Sequence, residues 1–537
     1  MIDTENETGI FTQIQDKEQI LEDVVIRSFQ EETRAESIDN IILNTAYSEI
    51  QRLESSRKNP EDREELSRWR KIYQSMLTIN EREKAETLSR ILKFYANDII
   101  GNFNPKVYKF TTRLLPSLMS IFFRSVSLKS VVIPPPSPKD IDNIVMISGK
   151  VAELQKLAKI GTIILVPTHL SNMDSIVIGW ALFRIGLPPF TYGAGKNLFT
   201  NPILSYFMHN LGAYRVDRRL RHALYKDVLK TYSTVVLERN YHSLFFPGGT
   251  RSRSGAVETK LKLGLLGTGI KAYINNLKSG KENPNIYVVP CTINYHIVLE
   301  AETLISDYLK ETGKARYIIE DDESSSFAKV FKFLFKTGRL ESSLNIKIGS
   351  AFDLFGNKVD ENGISYDVHG RTVDPTRYVM SNGELTHSDQ RDAEYTKELG
   401  ERIVEEYFIN NIVLSTHILA FCLFTFLEKL NPAMDIYRLV RLNPEEAVIN
   451  AMEIYNLLDR LKMEIISLYE NGKISIDEKL KEQTSATIIE EALKNFNTYY
   501  DKELVVEKDN VFILNDIQIL YYYHNRLKGY HLEKKIY

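Results

Sequence analysis

Between residues 145 and 355 of this 537-residue chain, short β-prone runs alternate with stretches of helical periodicity, and no other feature restricts the fold as much. "TIILVP", "PFTYGA", "SLFFP", "IYVVPCTINY" and "LNIKIGSAF" are each short and β-rich. The segments between them could cross over as helices. A strand that returns parallel to its predecessor needs such a crossover, because a tight turn can only reverse the chain. The alternation therefore predicts an α/β fold, a mainly parallel sheet flanked by helices.

A chain of this length exceeds what one hydrophobic core usually serves, so flanking regions are expected. Residues 1–140 read as a helical N-terminal region, 141–377 as the α/β domain and 378–537 as a helical C-terminal region. Pro134 to Pro138 read as a linker. Residues 107–130 carry an apolar run with Lys109, Arg113, Arg124 and Lys129 around it, which suits either a membrane surface or a core helix. The apolar run 412–426 has 15 residues. That is short of the roughly 20 needed to span a bilayer, and a buried helix is expected. "FGNKVDENGISYDVHGRTVD" (355–374) predicts hairpin turns, since its "DENG" lacks the remaining ligand spacing of a calcium loop. No fixed-period repeat is evident, which argues against a solenoid.

Net charge is −3 and the pI about 6.4, so nothing draws the whole chain to nucleic acid, and any anion site must be a local cluster. Cys291 and Cys422 both lie in apolar stretches, which fits a reducing compartment and offers no zinc spacing. The N-terminus is acidic and polar, without the pattern of a signal peptide.

Three constellations carry chemistry. In "TIILVPTHLSNMDS" a buried strand runs into His169, with a helix expected to begin near Ser171. Ser171 and Asp174 have the spacing of a helix cap. Alternatively, Asp174 folds back onto His169, fixes its tautomer and lets the other ring nitrogen take a proton from a substrate hydroxyl. In "FFPGGTRSRSG" (245–255), Gly248 and Gly249 allow close backbone approach, and Arg251 and Arg253 add forked cationic donors suited to phosphate or carboxylate, or to a solvated loop. Lys260 and Lys262 follow. "LGAYRVDRRLRHALYK" places Arg215, Arg218, Arg219 and Arg221 before a helix. "GAGKNLF" (193–199) lacks the spacing of a nucleotide loop.

In this order the segments resemble the glycerophospholipid acyltransferase superfamily, over about residues 145–310. "HLSNMD" matches its H-x-x-x-x-D block, "GAGKNLFTNPILSYFMHNLGAYRVDR" the second block, "FPGGTRSRSG" the third and "VVPCTINY" the fourth. The resemblance implies that His169 is a general base and Asp174 its orienter. It implies phosphate contacts from Arg218, Arg251 and Arg253, with Asn197, Gly249 and Pro290 in support. Gly248 stands where the family usually has glutamate, and Asp217 precedes Arg218 where a basic or apolar residue is commoner.

The implied reaction is acyl transfer from acyl-CoA or acyl-carrier protein to a hydroxyl of glycerol-3-phosphate, needing neither metal nor cofactor. Backbone amides near the first block are expected to hold the oxyanion. Lysophosphatidate is the alternative acceptor, and a non-catalytic lipid or acyl-CoA binding module the alternative of another class. The amphiphilic product implies peripheral attachment to the cytoplasmic side of a membrane.

Overall fold

The computed structural model describes residues 9–55, 60–113, 145–196, 199, 202–313, 344–500 and 502–537. Asn197, the expected linker at Pro134 to Pro138, and residues 114–130 of the expected interfacial segment lie outside the described residues.

The central fold is the expected α/β layer. In chain order it comprises β1 (Val145–Gly149), α5 (Val151–Ile160), β2 (Thr162–Pro167), α6 (Asp174–Arg184), β3 (Thr191–Gly195), α7 (Pro202–Asn210), β4 (Ala213–Val216), α8 (Ala223–Glu238), β5 (Ser243–Leu244), α9 (Thr268–Lys278) and β6 (Ile286–Tyr295). Helices α1 (Gln13–Ala35), α2 (Ile38–Ser55), α3 (Pro60–Ser75) and α4 (Glu81–Ile99) precede it. The strands β6, β2, β5, β3 and β4 lie side by side in that order, all parallel. Every residue of β2 and β6 is buried. That is why both read as unbroken apolar runs: a parallel strand covered on both faces has no solvent side to alternate toward.

Beyond β6 the sheet changes direction. "LNIKIGSAF" forms two strands, β7 (Leu344–Ile348) and β8 (Ala351–Phe352), both antiparallel to β6. They part at Gly349, whose N–H donates to the Pro290 carbonyl at 2.8 Å. Short strands β9 (Lys358–Val359), β10 (Ser365–Tyr366) and β11 (Thr372–Val373) extend this edge as hairpins. A seven-residue period builds them, which corrects the reading that no fixed period is present. Asp353, Asp360 and Asp367 each accept two backbone N–H groups, at 2.9 to 3.0 Å, from residues two and four positions ahead. Three residues after each aspartate stands a glycine with left-handed φ: Gly356, Gly363 and Gly370, at 84°, 82° and 77°. The repeat ends with Asp374, whose carboxylate accepts the Thr376 N–H at 3.0 Å to cap a 3-10 turn.

After α10 (Ala301–Thr312), the C-terminal region contributes α11 (Asp389–Asn410), α12 (Ser415–Leu430), α13 (Ala451–Glu470), α14 (Ser485–Tyr499) and α15 (Ile517–His524). The apolar run 412–426 enters α12, where Leu419 to Phe424 have no exposed surface. Among the described residues no helix is long and apolar enough to cross a membrane. Side chains of β2, α6, β6 and β7 share one apolar cluster with α12 through α15, so the core runs across the boundary expected at 377/378. On the opposite flank, α1, α2 and α4 pack with α8.

Candidate active site

The parallel strands deliver the candidate residues to one edge of the sheet, the end where their carboxyl termini open into loops, which is where α/β sheets carry their ligands. His169 leaves β2, Arg218 leaves β4, and the Gly248–Gly249 turn follows β5. Thr168 is anchored first: its N–H donates to the Cys291 carbonyl at 2.9 Å and its hydroxyl accepts the Ile293 N–H at 3.1 Å.

His169 and Asp174 meet. The imidazole Nδ1 lies 2.9 Å from Asp174 Oδ2. The same oxygen accepts the N–H groups of Leu170 at 2.6 Å and Ser171 at 2.9 Å, and Oδ1 accepts the Tyr295 hydroxyl at 2.6 Å. A carboxylate oxygen that also takes backbone N–H groups is an acceptor, so Nδ1 is the donor of this pair and the lone pair of the neutral ring lies on Nε2. The ring is 15% exposed and stacks on Phe246, with centroids 4.2 Å apart. Burial and the Asp174 charge push the Tyr295 hydroxyl well above its ordinary pKa, so it stays a donor.

The helix starts later than expected. It begins at Asp174, and its N-cap, Met173, makes no side-chain cap bond. Ser171 is occupied otherwise: its hydroxyl accepts the Met173 N–H at 3.2 Å and donates to Glu300 at 2.9 Å. The expected oxyanion donors of this turn are also engaged. His169 N–H donates to Glu258 Oε1 at 2.9 Å, Leu170 and Ser171 donate to Asp174, and Asn172 donates to Glu300 at 3.1 Å. Three carboxyl groups thus take the amides on which the oxyanion expectation rested.

The arginines divide into two groups. Arg251 sits 3.4 Å from Glu300, and Arg253 lies 2.7 Å from Glu311. Arg218 is exposed, and its guanidinium has no partner among the described residues. Beside it stands Lys262, whose pKa burial lowers and the Arg218 charge lowers further. The Lys262 ammonium is likewise without a partner among the described residues. Its side chain lies across Gly249: a Cβ there, at φ +75°, would approach its Cδ, Cε and Nζ to 2.6–2.7 Å. The left-handed backbone is what calls for glycine at 249, since the lysine end above it is free to move aside. Asp217 is held by Arg219 at 2.7 Å; burial raises its pKa, but the Arg219 bonds outweigh that and hold it below the ordinary value.

Pro290 lies inside β6, in register with Val166, and its contribution is its carbonyl bond to Gly349. Three acidic or phenolic residues of the site have no local signal in the sequence: Tyr295, Glu258 and Glu300. They reach the His169 turn from 89 to 129 residues away.

Residues 149–294 match the model of the Acyltransferase family. A glycerol-3-phosphate acyltransferase of Pseudomonas paraeruginosa is 25% identical over 242 residues, covering 45% of this chain and 26% of that protein. The namesake in Actinobacillus succinogenes is 31% identical over 179 residues, covering 33% of this chain and 20% of its own length. The match thus spans about a quarter or less of these curated relatives. The crystal structure of the 1-acyl-sn-glycerophosphate (LPA) acyltransferase PlsC from Thermotoga maritima is 16% identical, with a TM-score of 0.26 over 62% of this chain and 84% of that one.

Proposed function

We propose that the protein transfers a fatty acyl group from acyl-CoA or acyl-carrier protein to a hydroxyl of glycerol-3-phosphate at a membrane surface. The observation that carries this reading is the His169–Asp174 pair, with one ring nitrogen held at 2.9 Å and the other free to accept a proton. Nε2 removes the acceptor's hydroxyl proton as its oxygen attacks the thioester carbonyl. The tetrahedral intermediate collapses with loss of the thiolate, and the imidazolium returns the proton to sulfur. Asp174 stabilises the imidazolium and keeps the ring in its tautomer. Arg218 and Lys262 bind the acceptor's phosphate, and Arg251 is a further candidate, with Glu300 as its resting partner. Holding both reactants in attack geometry supplies roughly 7–11 kcal/mol of such a barrier. The relatives named glycerol-3-phosphate acyltransferase support this acceptor.

The test is thiol release, measured with acyl-CoA and acyl-carrier protein against glycerol-3-phosphate and lysophosphatidate. Release with glycerol-3-phosphate, abolished in a folded His169→Ala variant, is expected. Release with lysophosphatidate alone replaces the acceptor, and no release with any pair rejects the reading in favour of a binding module.

A further inference from the structure

Position 248 has no side chain, yet the space one would fill is occupied. A Cβ built on Gly248 would lie 2.8 Å from Cδ and Oε2 and 2.9 Å from Oε1 of Glu258, and these are its three nearest atoms. Gly248 lies outside the left-handed region, unlike its neighbour Gly249. Its backbone therefore accepts a side chain, and the Glu258 carboxyl is what stands in the way.

From that place Oε1 accepts the His169 N–H at 2.9 Å. Oε2 is buried and has no hydrogen-bond partner among the described residues. The charged and titratable groups around the carboxyl come from three other elements: His169 and Asp174 from the turn after β2, Tyr407 from α11, and Arg526 from the segment after α15. The Nε of Arg526 is also buried without a partner among the described residues. A second bond straps the same two loops together, since the Ser252 N–H donates to the His169 carbonyl at 2.7 Å.

We propose that Glu258 is a positioning residue for His169: seated in the space that residue 248 leaves empty, its carboxyl ties the base-bearing turn to the anion-binding loop. The proposal rests on reading His169 as the base. Burial raises the carboxyl's pKa to about 8, with the Arg526 charge opposing and the Asp174 charge assisting, so near neutral pH it carries its proton. It then accepts the His169 N–H through Oε1, as the amide oxygen of glutamine would.

The experiment compares Glu258→Ala, Glu258→Gln and the transposed variant Gly248→Glu/Glu258→Ala, each checked by thermal melting. Misplacing a catalytic group by about 1 Å costs about 10²-fold, so Glu258→Ala is expected to lower kcat by about that factor while leaving KM nearly unmoved. Glu258→Gln should fall no more than about threefold, since its amide oxygen still accepts the His169 N–H. The transposed variant should recover at least about tenfold over Glu258→Ala by returning a carboxyl to the same space. A folded Glu258→Ala with wild-type kcat overturns the proposal, as does a folded transposed variant that is no more active than Glu258→Ala. If Glu258→Ala does not fold, a folded and active transposed variant supports the proposal and a folded, inactive one overturns it. If wild type shows no transfer with any donor and acceptor, the proposed function fails, and the His169 ring titration by NMR decides on Glu258. A midpoint displaced in Glu258→Ala and restored in the transposed variant supports positioning; an unmoved midpoint refutes it.

Discussion

One ring nitrogen of His169 is committed to Asp174, so Nε2 must perform whatever proton chemistry the ring does. Asp174→Asn removes the charge that stabilises the imidazolium and is expected to lower kcat by about 10²- to 10⁴-fold, measured by thiol release. Arg218→Ala and Lys262→Ala each remove a charged donor worth about 1.5–3 kcal/mol, so each should raise KM for glycerol-3-phosphate by about 10- to 100-fold with a smaller change in kcat. Glu258 gives a pH dependence of fixed sign. The folded carboxyl holds its proton to about pH 8, whereas the unfolded one releases it near its ordinary 4.5. Between these values the folded state binds more protons, so stability falls as pH rises through the interval. Melting temperatures of wild type and Glu258→Gln should therefore diverge steadily from pH 5 to pH 8 in favour of the variant; a gap independent of pH contradicts the assignment. His169 and Asp174 are legible in the sequence because they share one turn, five residues apart. Glu258, Glu300 and Tyr295 at the end of β6 are not, because only the folded sheet brings them to the His169 turn, and nothing in their local pattern records that. Lys262 is visible merely as one charge of a basic loop; its place across Gly249 belongs to the tertiary structure.

At the scale of elements, the parallel strands β2 to β6 are readable from alternation alone, since burial on both faces leaves a continuous apolar run. Strand direction is not readable, because a run of buried residues marks a strand and says nothing of which way its neighbour runs. The seven-residue aspartate-glycine period is written openly in the sequence, but it spans so short a stretch that a search for long structural repeats passes over it. Its hairpins allow a paired test. Gly363 and Gly370 share the left-handed conformation, which costs an L-residue roughly 1–2 kcal/mol. A Cβ at Gly370 meets nothing within 4 Å, whereas at Gly363 it collides with the Tyr287 hydroxyl. Gly370→Ala should therefore cost only about the conformational term, and Gly363→Ala at least about 1 kcal/mol more, in denaturant unfolding.

At the scale of the whole molecule, the division into an α/β centre and helical flanks is legible from the change in hydrophobic period. That the centre and the C-terminal helices share a core is not, since periodicity reports which face of an element is apolar and never what covers it. The Asn525 amide donates to the Ser254 carbonyl at 2.9 Å, so the C-terminal segment also holds the arginine loop. A chain ending at Asn515 would lose α15 and, with it, the buried side chains of Leu520, Tyr522, Tyr523, Leu527 and Leu532. It is expected to lose the cooperative melting transition by circular dichroism rather than to retain a smaller active unit.

The bonds that hold the His169 turn and its loop reach forward along the chain by 89 residues to Glu258, 121 from Asp174 to Tyr295, 129 from Ser171 to Glu300, and 271 from Ser254 to Asn525. Synthesis runs in that same direction. A nascent chain that has already extruded its histidine and aspartate still lacks every distant group that fixes them. Contacts so remote in sequence form late, because the loops they close must first exist. The chemistry of this molecule is thus acquired only after residues far downstream of the histidine and aspartate have been made, whichever element folds first.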